Sequence, residues 1–306
     1  MQPISEIILK DYQVRKTKKQ KDAFIALMQE HYPELQVEQG GMAKSRNLVI
    51  GDVDTAKVVY TAHYDTCAVL PVPNFIMPKN ILLTLLYGIL ICIPFFVLLA
   101  LVEGLLLYLT DSFLLSYWVS LGVMIAALLW VFMLGKPNQH TANDNTSGTI
   151  LLCELMAALS EEEKKNAAFV FFDNEENGLL GSGQFRKKHG KAMKGKLLVN
   201  FDCVSDGDHM LFVVNKKARK QYGAQLEQAF PGNSEKSVHF EKSSTTMYPS
   251  DQMGFPVSVG VAAMNRKPLL GYYMNRIHTK RDVIFQEENI RLLRDGGKRL
   301  VELLMH

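Results

Sequence analysis

From Asn80 to Gly135 the chain carries no lysine or arginine, and two long apolar runs lie within that interval. Ile81 to Val102 is apolar apart from Thr84 and contains Gly88 and Pro94; Phe113 to Leu134 is again free of charge. Each run is about 22 residues, enough at 1.5 Å per residue to cross a hydrocarbon core of roughly 30 Å. A helix of that length in a soluble core normally keeps a polar stripe, and neither run has one. Residues 80–135 therefore read as a transmembrane helical hairpin with spans at about 81–102 and 113–134. The connecting segment Glu103–Ser112 holds its two charges, Glu103 and Asp111.

Two spans return the chain to the side on which it started. Lys79 and Lys136 flank the hairpin while its tip is acidic, so the positive-inside rule puts both flanks in the cytoplasm of a multi-pass membrane protein. Residues 1–79 and 136–306 then form one domain on that side, ample for a real core. The N-terminal stretch lacks the apolar core and cleavage site of a secretory signal and reads instead as a first helix, with Ile7, Ile8, Tyr12, Phe24, Leu27 and Met28 at helical spacing. Its basic cluster, Arg15, Lys16, Lys18, Lys19 and Lys21, reads as a solvated face with a weak pull toward anionic lipid. Cys67, Cys92, Cys153 and Cys203 form no CxxC pair and read as free thiols of a reducing compartment. A net charge of +3, with 21% charged residues, supplies no field for nucleic acid.

Outside the hairpin, strand-like and helix-like segments alternate. The strands are expected at 47–50, 57–62, 167–172, 197–201, 210–214 and 257–261, and the helices at 147–159, 179–188, 218–230 and 287–304. The pattern implies an α/β fold with a central, mostly parallel mixed sheet flanked by helices. Acidic and histidine residues follow several of these strands, where ligands collect in open α/β sheets.

Five segments carry candidate chemistry. In VVYTAHYDT, His63 and Asp65 lie two apart at a strand end, so His63 can ligate a metal while Asp65 accepts its other ring N–H. In TANDNTSG, Asp144 opens a helix; the bland reading is a helix cap. In FVFFDNEENGLLGS, the adjacent glutamates point different ways, leaving Glu176 to bind metal and Glu175 to face the attacking water. Asp202 follows another apolar strand in LLVNFDCVSD, with Asp206 read as a turn residue, and His278 precedes the last helix in NRIHTKRD. Singly each has an ordinary structural explanation. Together, two histidines and three carboxylates with one bridging aspartate suit two zinc ions with open positions for water, and a separate glutamate supplies the base.

The order HxD, DNxSG, EExGLxGS, strand-end D and HT resembles the family-28 zinc metallopeptidases, a family that includes aminopeptidase Y and secreted bacterial leucyl aminopeptidases. The resemblance runs from Thr61 to Asp282. It implies removal of N-terminal residues from peptides. It assigns His63 and Asp202 to one zinc, Glu176 and His278 to the other, and Asp144 to both. Glu175 corresponds to the general base and Asp65 to the residue behind His63. In MYPSDQMGFP, Ser250 and Asp251 are kept but Gln252 replaces the family's histidine, and Tyr248 is the nearest match to a tyrosine that steadies the oxyanion. His140, near the hairpin exit, is supported by no motif, and the remaining histidines read as ordinary polar residues.

Two other functions fit the same scaffold: a glutaminyl cyclase using one zinc, and a membrane protein keeping the fold as an interaction module. The complete ligand set and retained base argue against both. The hairpin implies the lipid bilayer as a partner, and the small pairs Ser116/Ser120 and Gly122/Ala126 offer a surface for helix packing or a homo-oligomer.

Overall fold

The computed structural model describes residues 1–306. Two short helices, α1 (Pro3–Asp11) and α2 (Lys18–His31), are followed by strands β1 (Gln36–Gly40), β2 (Ser45–Ile50) and β3 (Val58–His63). The apolar helices α3 (Ile81–Thr110) and α4 (Phe113–Leu129) come next, α4 running on through a π turn to Leu134. Then follow α5 (Gly148–Ala158), α6 (Glu161–Lys164), β4 (Ala167–Phe172), α7 (Leu180–His189), β5 (Leu197–Phe201) and β6 (His209–Val214). The chain closes with α8 (Lys216–Ala229), β7 (Ser237–Lys242), β8 (Ser258–Lys267), β9 (Gly271–Tyr273) and α9 (Glu287–Met305).

The sheet runs β1-β2-β4-β3-β5-β8-β6-β7, with β9 paired to β8. Its centre, β4-β3-β5-β8, is parallel; β1, β2 and β6 pair antiparallel to their inner neighbours. Strands from before and after the apolar hairpin thus lie side by side in one sheet. The central strands are buried on both faces, which is why they read as unbroken apolar runs. Successive residues face opposite layers: Val58, Tyr60 and Ala62 pack under α1, α2, α5, α8 and α9, whereas Val59 packs with Phe185 of α7.

Three expectations are corrected. The N-terminal helix is two helices, because Thr17 and Gln20 form a reciprocal capping box that starts α2 anew. Its basic run is a solvated face only in part: Lys18 and Lys19 are exposed, whereas Arg15 and Lys21 are buried. The first apolar helix continues through Glu103 to Thr110, since one glutamate among leucines does not break a helix, and the connection shrinks to Asp111–Ser112.

Both α3 and α4 are long and apolar enough to cross a membrane. No residue of α3 is buried, and in α4 only Ser116 and Ser120 are. Core helices of a soluble domain would be covered. Here the apolar side chains stay outward, and α3 packs mainly along α4.

Candidate metal centre

The site forms where β3, β4 and β5 end. His63 is the last residue of β3, buried. Its Nδ1–H donates to the backbone carbonyl of Asp65 at 3.0 Å, leaving the Nε2 lone pair free. Nε2 faces Asp144 Oδ1 and Asp202 Oδ1, both at 3.4 Å. The other oxygen of Asp144 faces His278 Nε2 at 2.9 Å, and His278 Nε2 lies 3.3 Å from Glu176 Oε2. Asp144 therefore stands between two donor groups, one facing each of its oxygens.

The expected partnership of His63 with the Asp65 side chain is not what forms. The Asp65 carboxylate lies 3.7 Å from Nδ1 and instead accepts the backbone N–H groups of Glu175 (3.0 Å) and Glu176 (3.2 Å). Aspartate can do this because a carboxylate presents two acceptors side by side. The two glutamates do not leave the strand directly either: Asp173 and Asn174 intervene, and Asn174 takes a positive φ to turn the chain. Gly181 allows α7 to start close by, since a Cβ there would lie 2.1 Å from the Asp173 carbonyl. Glu175 and Glu176 both come within 4.8 Å of His63.

Asp144 does not cap a helix. It has non-helical backbone angles, its peptide bond to Asn145 is cis, and α5 begins only at Gly148. Its loop is held from three sides. Asp282 accepts the N–H groups of Asn143 (2.8 Å) and Asp144 (3.0 Å). Asn145 accepts from Gly148 and Cys203 and donates to the Phe201 carbonyl, tying the loop to the end of β5 beside Asp202. Asn143 accepts from Ser205 and Asp206. Asp206 lies in a bend, as expected, and is buried there in a pair with Arg276 at 2.7 Å.

Arg15 lies behind this arrangement, fully buried. Its guanidinium donates to the Tyr64 and Tyr12 carbonyls and to Thr146 Oγ1, and burial lowers its pKa to about 10 against the pull of Asp65 and Asp144. Lys21 donates to Asp173 and Asn174. Tyr248 is buried and its hydroxyl donates to the Asp202 carbonyl at 3.0 Å, so that proton is already committed. Gln252 faces inward too, bonded to Asn200 and to the Tyr248 carbonyl. His140 is exposed and makes no site contact.

Sequence reasoning assigned no site role to three neighbours. Cys67, two residues past Asp65, comes within 4.8 Å of Glu176 and His278. Asp282 sits four residues past His278, and its spacing was the available signal. Asp251 has both carboxylate oxygens buried without a partner.

The donor set fits a cation. Burial, reinforced by like charge, drives carboxyls up: Glu176 to about 8, Asp282 to about 8, Asp251 to about 7, and Glu175 well above its usual range. Burial works against protonated His278, but Glu176 and Asp144 prevail and lift it to about 9. Negative charge this crowded is what a divalent ion relieves, and Glu176 Oε1 is buried without a hydrogen-bond partner. Nitrogen and oxygen donors in this mix suit zinc.

Both hairpin roots run across the loop carrying His278. Leu70 N–H donates to the His278 carbonyl at 2.7 Å, Asn138 donates to the Thr279 carbonyl at 3.1 Å, Ala68 bridges to Pro137 and Ile76 to Met274. His278 itself has a positive φ and a side chain 25% exposed.

A parallel sheet whose strand ends gather carboxylates and histidines around a shared aspartate has the build of a zinc peptidase. The model of peptidase family M28 matches residues 126–299, more than half of the chain. The chain belongs to that family. The match leaves out His63 and Asp65, which reach the site through the fold. Solved structures with the same fold include a glutaminyl cyclase from an Acidobacteriales bacterium (TM-score 0.59, 16% identity, covering 98% of this chain and 92% of that one). A Zn-dependent exopeptidase from Parabacteroides distasonis has a TM-score of 0.54 at 14% identity (98% and 94%). The LapA aminopeptidase of Legionella pneumophila has a TM-score of 0.54 at 14% identity (98% and 68%). No curated protein sequence matches the chain.

Proposed function

We propose that this M28 peptidase removes N-terminal residues from peptides at a two-zinc site, working at the cytoplasmic surface of a membrane that its hairpin spans. The observation carrying the two-ion reading is the division of Asp144: Oδ1 faces His63, which also faces Asp202, and Oδ2 faces His278, which also faces Glu176. In this reading His63 and Asp202 hold one ion, Glu176 and His278 the other, and Asp144 both. Zinc, when bound, supplies Lewis-acid polarisation of the scissile carbonyl and lowers the pKa of the attacking water.

The chain's own residues do the rest. Glu175 takes the proton of the attacking water and returns it to the leaving amine. Asp65 holds the Glu175–Glu176 turn through two backbone N–H groups. The resemblance matches Tyr248 to an oxyanion donor, but its hydroxyl bonds the Asp202 carbonyl, which favours a role in positioning Asp202.

The membrane reading draws support from the outward apolar faces of α3 and α4. Tyr87 and Tyr108 lie 21 residues apart along α3, about 32 Å, close to the separation of the two interfaces. The roots crossing the His278 loop favour substrates that arrive along the membrane surface.

The test uses the full chain in detergent. Expected are two zinc ions per chain and cleavage of peptides with a free N-terminus, abolished by chelator and restored by zinc. Equal cleavage of N-terminally blocked peptides would refute the aminopeptidase assignment. One zinc per chain, with ammonia released from N-terminal glutamine, would make the protein a cyclase.

A further inference from the structure

Beside the point where the hairpin re-enters the domain is a basic cavity that the proposed chemistry does not use. Its volume is about 480 Å³, and Lys16, Lys18, Lys21, Lys44 and Arg46 line it. These five cations face two carboxylates. Lys18 and Arg46 pair with Asp22, and Lys21 with Asp173. Lys16 and Lys44 have no carboxylate partner, so the cavity keeps a surplus of positive charge. The N-terminus of α2 opens at Lys18 in the same wall and adds its partial positive charge.

The position of the cavity selects the ligand. The Lys16 ammonium donates to the backbone carbonyl of Met133, in the last turn of the second apolar helix. Where that helix leaves the hydrocarbon, a phospholipid places its phosphate. Lysines suit this ligand as point charges on an anionic oxygen cluster, and cations just inside a span are drawn to an anionic leaflet. A soluble peptide or free nucleotide has no reason to dwell at that depth.

We infer that the Lys16–Lys44 cavity is a binding site for the phosphate headgroup of an anionic phospholipid. This rests on the membrane reading of the hairpin and deepens it, because it names the lipid class. The site also abuts the catalytic turn: Asp173 and Asn174, which line it, directly precede Glu175 and Glu176.

The experiment takes the full chain in uncharged detergent and counts retained lipid by native mass spectrometry. Phosphatidylglycerol and phosphatidylcholine are supplied in an equimolar mixture. The wild type is expected to retain phosphatidylglycerol preferentially. Lys16→Gln with Lys44→Gln should weaken that retention at least about tenfold. The charge-matched Lys216→Gln with Lys217→Gln should leave it unchanged, and thermal melting of all variants checks folding. Equal retention of the two lipids, or no change in the Lys16/Lys44 variant, overturns the site. Displacement of the lipid by inorganic phosphate overturns the lipid source in favour of a free phosphate site. An alkaline carbonate wash of native membranes separates the two levels. A chain released by the wash refutes the hairpin reading itself, whereas a chain that stays but shows no lipid preference refutes only the site.

Discussion

Asp65→Asn tests the geometry of the site most sharply, because the side chain and the backbone of Asp65 do different work. The carboxylate accepts from the N–H groups of both Glu175 and Glu176, while the backbone carbonyl accepts from His63 Nδ1. Asparagine keeps the shape and the backbone carbonyl. Its amide has one acceptor, so one N–H keeps a partner and the other meets an NH₂ group. The loss is one charge-assisted hydrogen bond in a buried setting, about 1.5–3 kcal/mol. At 1.4 kcal/mol per tenfold, the population with the glutamate turn in place should fall roughly ten- to hundredfold. Steady-state hydrolysis of a free N-terminal peptide should show that drop in kcat. Zinc titration should meanwhile show little change at the His63 ion, whose ring stays oriented by the backbone. If the carboxylate instead orients His63, zinc affinity should fall about 10–100-fold as well. A kcat within threefold or so of wild type would refute the reasoning altogether.

Glu175→Gln should retain zinc and lose at least about 10²–10⁴-fold in turnover, measured by metal analysis beside kinetics. Asp144→Ala should lose or greatly weaken both ions, whereas His63→Ala weakens mainly one; full zinc content in the Asp144 variant would remove its bridging role. Arg15→Met strips charged donors from Tyr64, Tyr12 and Thr146, and at about 1.5 kcal/mol or more each it should lower the melting temperature well beyond a surface change such as Lys19→Gln. A cysteine label near Ser112 should react only from outside intact cells, and one at Lys18 only from the cytoplasm; external labelling at Lys18 would reverse the orientation.

The parts legible in the sequence were those whose cause is local. β4 and β5 have the expected bounds, because a strand buried on both faces must be apolar throughout. β1, β7 and β9 were missed. They are edge or short strands, and residues such as Gln36, Glu38, His239 and Glu241 give no apolar run to read. The donor residues were visible as motifs, since His63, Glu176 and Asp202 lie at or just past apolar strands and Asp144 and His278 fall in short polar segments of a recurring order. Their supports were not. Arg15 reads as one cation among five, and only the fold brings it to Tyr64 and Thr146, 49 and 131 residues away. Asp282 and Asn143 behave likewise. The cap at Thr17 was readable as T-x-x-Q, and the helical spacing on either side concealed it.

The insertion point of the hairpin makes physical sense once these supports are counted. His63 and Asp144 need only the ends of β3 and the loop before α5, so an insert between them costs the sheet nothing. Its roots, however, do not dangle. Val69 N–H bonds the Lys136 carbonyl, Leu70 holds His278, Asn138 holds Thr279, and Ala142 N–H bonds the Asp282 carbonyl. Asp282 in turn accepts from Asn143 and Asp144. The segment from Cys67 to Leu70 and the segment from Lys136 to Ala142 are therefore walls of the site rather than linkers. On the α4 side the wall from Lys136 to Ala142 follows the helix end at Leu134 almost directly, and its backbone hydrogen bonds lead to Asp282 and so to Asp144. For that reason the separable part of the hairpin begins beyond these walls, at the apolar helices themselves.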